Sequence, residues 1–283
     1  MPYIEVTDVA KSFERDGRTR EVLRRVSLSV ELGEFVSIVG AMGSGKSTLL
    51  GMMAGLVPPD AGSIAIGGAL VTGVVEGGAF VFQNYSLLPW LTARENVRLA
   101  VETAFPAETA AEHRARAEAA LERVGLGAAL DRRPRQLSGG MRQRVALARA
   151  FATEPSVLFL DEPFGALDAL TRETLQTDLA TMCAARERPV TVVMVTNNLD
   201  EAILLSDRIV PMVPGPPAML GASLAVDLPK PRTAATLAHD ESAGRTRAEI
   251  ISVLTSGTGR TRFRAPQVRA VADVTEPAKA VLP

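Results

Sequence analysis

Residues Gly40–Thr48 read "GAMGSGKST", and they lie between the apolar run "EFVSIV" and the helix-forming run "LLGMMAGL". This order of strand, glycine-rich turn and helix constrains the fold more than any other feature of the chain. The spacing of Gly40, Gly45, Lys46 and Ser47 is that of a phosphate-binding loop, which requires a strand before it and a helix after it. Glycines let backbone N–H groups converge on phosphate oxygens at the positive end of the helix. The candidate contacts are Gly40, Ala41, Met42, Gly43, Ser44, Gly45, Lys46, Ser47 and Thr48. Lys46 is expected to reach the β- and γ-phosphates, and the Ser47 hydroxyl to ligate Mg²⁺.

The rest of the chain predicts an α/β core to carry such a loop. Strand-like runs are "YIEVTDV", "VSLSV", "EFVSIV", "SIAI", "AFVFQ", "SVLFL", "VTVVMVT" and "DRIVPMV". The early ones alternate apolar and polar residues, as half-exposed antiparallel strands do. "FVSIVG", "VLFLDE" and "VTVVMVT" are nearly all apolar, which suits buried parallel strands. From about 91 to 150 the chain turns helical, with Glu112 and Arg116 spaced i,i+4 as on a solvated face. After Val210 proline and glycine accumulate, then a helix is expected from about Glu241 to Leu254. The stretch from Gly257 has no sustained period and reads as a disordered tail. No internal repeat is visible, so the chain reads as one nucleotide-binding unit over 1–213, with a helical insert at about 91–150, an extension over 214–256 and the tail over 257–283.

Composition narrows the partners. Net charge is −1, so no overall field favours nucleic acid. Cys183 is the only cysteine, which excludes an internal disulfide. "MPYIEVTDVAKSF" lacks the apolar segment of a signal peptide. The uncharged stretch Ile209–Val226 is broken by Pro211, Pro214, Pro216 and Pro217, so no spanning helix is expected there. Any membrane role would come through a partner.

A second strand, "SVLFLDEP", ends in paired acids. Asp161 is placed to hold Mg²⁺, and Glu162 to orient or deprotonate an attacking water. Paired acids at a strand end are often only solvated turn residues, but downstream of a phosphate loop they gain a catalytic reading. In "QLSGGMRQRVALARA", Ser138 can cap a helix starting near Met141, and Gly139 and Gly140 bare N–H groups for a phosphate.

That last stretch, with Leu137, Ser138, Gly139, Gly140 and Gln143 in place, resembles the signature motif of ATP-binding cassette (ABC) proteins. The resemblance spans about residues 3 to 213. It implies a mixed sheet with an antiparallel β subdomain and a helical subdomain, with ATP and Mg²⁺ as ligands. It also implies that the phosphate met by Ser138 belongs to ATP on an opposing subunit. Phe13 falls where the family stacks an aromatic on adenine, although a core phenylalanine is the rival reading. Gln83 in "FVFQNYSLLPWLT" matches the Q-loop, which senses Mg²⁺ and the attacking water. Asp168 in "FGALDALTR" matches the D-loop, which contacts the opposite subunit.

"SLLPWLTARENV" and "DEPFGALDALTRETLQ" look like the nitrate/sulfonate/taurine importer ATPases, and "VTNNLDEAILLSDRIVPMVPGPPAMLG" looks closer to the nitrate and bicarbonate branch. The resemblance implies an ATP-hydrolysing importer subunit at the cytoplasmic face of the cell membrane. Its partners would be a second ATPase subunit, transmembrane permease subunits and, indirectly, an extracytoplasmic solute-binding protein, with no nucleic acid. The turn Leu88–Trp90 would then either pack the core or shape the groove that receives the permease. One departure stands out. Where the family usually carries a switch histidine, this chain has Asn197, which is expected to act as a neutral N–H donor.

Rival classes fit less of the sequence. A cassette acting on DNA or ribosomes typically needs a coiled coil or second cassette, and a kinase or GTPase has no use for the "LSGG" stretch. A non-hydrolysing regulatory cassette is supported by Asn197 alone.

Overall fold

The computed structural model describes residues 2–256 except 16, 166, 185–188, 214 and 216. The stretch 257–283, expected as a tail, lies outside the described residues. The chain begins with β1 (Ile4–Arg15) and β2 (Arg18–Val30), then β3 (Phe35–Val39) runs through the phosphate loop into α1 (Lys46–Met53). There follow β4 (Ala61–Ile66), β5 (Ala69–Leu70) and β6 (Gly78–Val81), and the helices α2 (Ala93–Ala104), α3 (Ala110–Arg123) and α4 (Gly139–Ala152). The chain returns through β7 (Val157–Asp161), α5 (Ala169–Ala184), β8 (Thr191–Thr196), α6 (Leu199–Leu205) and β9 (Arg208–Val213). It ends in β10 (Met219–Leu220), β11 (Leu224–Ala225), α7 (Ala234–His239) and α8 (Glu241–Ser256).

Two sheets result among the described residues. The antiparallel one has the order β2-β1-β4-β5. The larger one runs β10-β9-β3-β8-β7-β6, with β11 also on β9. Its inner pairs are parallel and its β10 and β11 pairs antiparallel, so the sheet is mixed. β3 and β8 are buried at every position, the burial that their unbroken apolar sequences predict. Successive residues face opposite sides. Val36, Ile38, Val193 and Val195 meet α1 and the antiparallel sheet, while Phe35, Val192 and Met194 meet α4 and α5. Helix α1 is thus sandwiched between two sheets, which fixes the phosphate loop at its N-terminus.

The helical region packs around Val97, Val101, Leu121, Val145 and Ala148. Its helices start on sequence signals: Thr92 with Glu95 and Thr109 with Glu112 each form a reciprocal capping box. The stretch with Glu112 and Arg116 is a helix, as expected, and both residues lie off its buried face. Glu112 does not pair with Arg116, because its carboxylate accepts from the Thr109 backbone N–H at 2.7 Å and hydroxyl at 2.8 Å. Arg116 instead bonds Glu108 and Glu154, and the helix buries His113, Ala117, Ala120 and Leu121 on its other face.

Beyond β9, the chain packs Val226, Leu237, Ala243 and Ile250 against Val39, Ala202, Ile203 and Ile209. Val39 is the last residue before the phosphate loop. Among the described residues, no helix is long and apolar enough to cross a membrane.

Candidate nucleotide site

Parallel pairing brings the C-terminal ends of three strands to one edge. Val39 lies opposite Thr196, and Asp161 opposite Val195. In open α/β sheets ligands bind outside these carboxyl ends. Lys46, Ser47, Asp161, Glu162 and Asn197 therefore converge, although they come from distant parts of the sequence.

Gly45 lets the loop turn into α1. It has φ 94°, a left-handed conformation, and a Cβ there would sit 3.0 Å from both Leu23 and Val22. Lys46 is 4% exposed and directs its ammonium to three acceptors: Gly40 O at 2.9 Å, Ala41 O at 3.0 Å and Asn197 Oδ1 at 2.7 Å. Burial pulls its pKa down, with the Glu162 and Asp161 carboxylates opposing. Ser47 Oγ donates to Asp161 Oδ1 at 2.8 Å. Asp161 is pushed up by burial, opposed by that hydroxyl and by Lys46.

Glu162 has φ 43°, a conformation strained for a residue with a Cβ. Its backbone N–H donates to Val195 O at 2.9 Å, which ties the turn after β7 to β8. Its carboxylate accepts from Gln83 Nε2 at 3.2 Å and from Asn197 Nδ2 at 2.8 Å, and lies 4.0 Å from Lys46 Nζ. Asn197 thus spends both ends of its amide, the oxygen on Lys46 and the nitrogen on Glu162. No local pattern signals this bridge, because it joins residues 151 and 35 positions away.

A cleft of about 270 Å³ opens beside the loop, lined by Phe13, Arg20, Val22, Lys46, Thr48 and Glu162 among others. Phe13 is 43% exposed on this wall, so it is not a core residue. Buried Ser44 Oγ has no hydrogen-bond partner among the described residues, a polar atom left for a ligand of the loop. Among the described residues, no three His, Cys, Asp or Glu side chains cluster to hold a metal ion. Ser47 and Asp161 offer two adjacent hard oxygens. That set fits Mg²⁺, which takes only one or two protein ligands and fills its shell from phosphate and water.

The remaining candidates gather elsewhere. Ser138 caps α4, its Oγ accepting from Met141 N at 3.2 Å. Gly139 follows, and Gly140 gives α5 room, since a Cβ there would stand 2.4 Å from Thr171 Cγ2. Gln143 is fully buried, and neither atom of its amide has a partner among the described residues. Asp168 Oδ1 accepts from Thr171 N at 3.0 Å, capping α5, and this bond holds its carboxyl below the usual range. The structure joins none of these side chains by a hydrogen bond to the Lys46 cluster.

Two further sets of residues support the site. Arg149 of α4, its pKa lowered by burial, donates to Ser86 O at 2.6 Å and Tyr85 O at 2.8 Å. Tyr85 and Ser86 both have positive φ, so Arg149 holds a strained turn just after Gln83. An arginine inside the apolar run "VALARAF" was the available signal. Asn96 likewise binds Leu88 N, Leu88 O, Leu91 O and Thr92 O, fixing the turn on which Trp90 stands 65% exposed. Core packing is thereby excluded for Trp90.

Residues 23–165 match the family model for ABC transporters. The nitrate transport protein NasD of Klebsiella oxytoca is 44% identical over 254 residues, covering 89% of this chain and 96% of that protein. The bicarbonate transport ATP-binding protein CmpC of Synechococcus elongatus is 45% identical over 271 residues, 95% of this chain. The chain spans only 41% of the length of that CmpC. Among solved structures, the dimeric ATP-binding cassette MJ0796 in a post-hydrolysis state with ADP and Pi superposes at TM-score 0.71. It is 32% identical and covers 80% of this chain and 99% of its own. Motif, sheet and relatives agree, and the chain belongs to the ABC transporter family.

Proposed function

We propose that the chain is the ATP-hydrolysing subunit of an importer for a small anion of the nitrate or bicarbonate kind. The carrying observation is the convergence of Lys46, Ser47, Asp161 and Glu162 at one sheet edge, with Glu162 oriented by Gln83 and Asn197. The names of the nitrate and bicarbonate relatives support the solute class, with sulfonates and taurine as the further small anions of the same kind.

In this reading Phe13 stacks the adenine, and the phosphate loop grips the triphosphate through its N–H groups and Lys46. Mg²⁺ bound at Ser47 and Asp161 would neutralise phosphate charge. Glu162 orients a water and takes its proton as the water oxygen bonds to the γ-phosphorus and the bond to ADP breaks. Asn197 keeps Glu162 and Lys46 in register. Ser138, Gly139 and Gly140 act on ATP held by a second subunit, so that two chains close over two nucleotides. Trp90 and the turn around it receive a transmembrane permease, which places the chain at the cytoplasmic face of the membrane. A solute-binding protein would act on the other side.

Glu162→Gln provides the test. Removing a general base costs about 10²–10⁴ in rate while leaving binding intact. Sedimentation at saturating ATP and Mg²⁺ should show that variant as a dimer and the nucleotide-free chain as a monomer. A monomer under both conditions would refute the composite site. An assembled complex of the unmodified chain that hydrolyses no ATP would favour a regulatory cassette instead.

A further inference from the structure

We propose that Arg232 is a positioning residue for Asn197, gripping the far end of α6 from the segment that follows the core sheet. Asn197 has no helix or strand of its own. It stands between β8 and α6, and its neighbour Asn198 caps α6 by accepting from Asp200 N at 2.9 Å and Glu201 N at 3.4 Å. The backbone at Asn197 therefore goes where α6 goes. A helix of seven residues has too few bonds of its own to stay in place, and its last carbonyls lack partners within it.

Arg232 supplies those partners. Its guanidinium donates to Ile203 O and Ser206 O, each at 2.7 Å, at the C-terminal end of α6. The same group donates to Val226 O at 3.1 Å and to Leu228 O at 3.1 and 2.8 Å. All five N–H groups are used, which no other side chain offers in one rigid plane. A cation also suits the negative end of a helix. A second arginine of the same segment reaches the other end of α6, with Arg247 Nε on Asp200 at 3.0 Å. Between them, Ala243 and Ile250 pack on Ala202, Ile203 and Val39. The segment thus braces both roots of the site, the residue before the phosphate loop and the helix after Asn197.

The inference rests on the reading of Asn197 as an orienter of Glu162, and the experiment separates the two. ATPase rates of the assembled complex are measured for Arg232→Ala and Arg247→Ala, alone and combined with Asn197→Ala, beside hydrogen exchange at residues 199–206. The expected result is a fall in kcat of about fivefold for Arg232→Ala with KM for ATP nearly unchanged, since only transition-state alignment is lost. Exchange in α6 should speed up. In the Asn197→Ala background the Arg232 effect should vanish, because residues acting as one unit are not additive. Arg232→Lys keeps the charge but not the five-fold fork, and should recover only part of the rate. Should Arg232→Ala not fold, Arg247→Ala is expected to show the same pattern, smaller. Arg116→Ala, which unties ion pairs in the helical region, controls for general destabilisation and should leave kcat alone. Loosened α6 with a normal rate, or an undiminished Arg232 effect without Asn197, would overturn the proposal. A normal rate for Asn197→Ala alone would overturn the reading of Asn197 itself, a separate failure.

Discussion

The residues around Lys46 and those around Ser138 both stand at a helix N-terminus flanked by glycines, yet they are built differently. At Lys46 the side chains bond one another across three strands: lysine to asparagine, asparagine to glutamate, serine to aspartate. At Ser138 the hydroxyl bonds only its own helix, and Asp168 only the start of α5. One region is a site that a single chain assembles. The other is a capped surface, and under the proposed function the phosphate it meets belongs to ATP on a second chain. On that proposal the dimer needs this asymmetry, since a self-complete second site would leave nothing for closure to add.

The largest expected effect tests that asymmetry directly. Lys46→Ala should reduce ATP affinity of the isolated chain by more than tenfold, since bonds to charged groups are worth about 1.5–3 kcal/mol each. Ser138→Arg should leave that affinity within about twofold, because Ser138 touches no part of the cluster around Lys46. It should abolish nucleotide-driven dimers through added bulk and charge. Equilibrium nucleotide binding and sedimentation on both variants are the measurements. Equal loss of affinity in the two would mean that the regions are not separate.

Which parts of this were legible in the sequence follows from where the information sits. The phosphate loop, the acids at the end of β7 and the buried strands are local patterns, and each reads from fewer than about ten residues. The far halves of β1 and β2 are not, because Phe13, Glu14 and Arg18–Arg20 are exposed there and the charged run "FERDGRTREV" shows no apolar alternation. The two-residue strands β10 and β11 exist only through their pairing with β9. The capping box of Thr109 and Glu112 is local too, since the two residues stand three apart at the start of α3. The Asn197 bridge and the Arg232 grip depend on side chains from separate elements meeting, which no local pattern encodes.

Asn197 sharpens the comparison on the side of the assembled site. Asn197→Ala should lower turnover about tenfold, as for a lost donor to a catalytic group. Asn197→His is more informative. Neutral imidazole keeps one donor and one acceptor, but imidazolium has only donors and would set a cation against Lys46. Turnover of that variant should therefore fall as pH drops through about 6.5, a limb that the native asparagine cannot produce. Steady-state ATPase of the assembled complex across pH reads this. A pH profile identical to that of the unmodified chain would sink the Lys46–Asn197 contact.

The smallest effect concerns Glu201, which underlies both regions. It is 4% exposed and accepts from the Thr196 hydroxyl at 2.7 Å, just before Asn197, while Arg172 of α5 lies 3.7 Å away. Burial pushes its carboxyl up from the ordinary 4.5, more than Thr196 and Arg172 pull it down. The folded chain therefore holds this proton more tightly than the unfolded chain. Its contribution to stability is greatest below the unfolded pKa and declines as pH rises through the folded one. Glu201→Gln keeps an acceptor for Thr196 and removes the ionisation. Calorimetry from pH 5 to 8.5 should show the variant as stable as the native chain or slightly more so at the alkaline end, with the gap narrowing toward pH 5. The long, partly exposed Arg172 contact is too weak to reverse that sign, since such pairs are worth about 0–1 kcal/mol. A variant less stable at pH 8 would show instead that Arg172 and Glu201 form a tight pair, and that α5 and the Asn197 loop are coupled by charge.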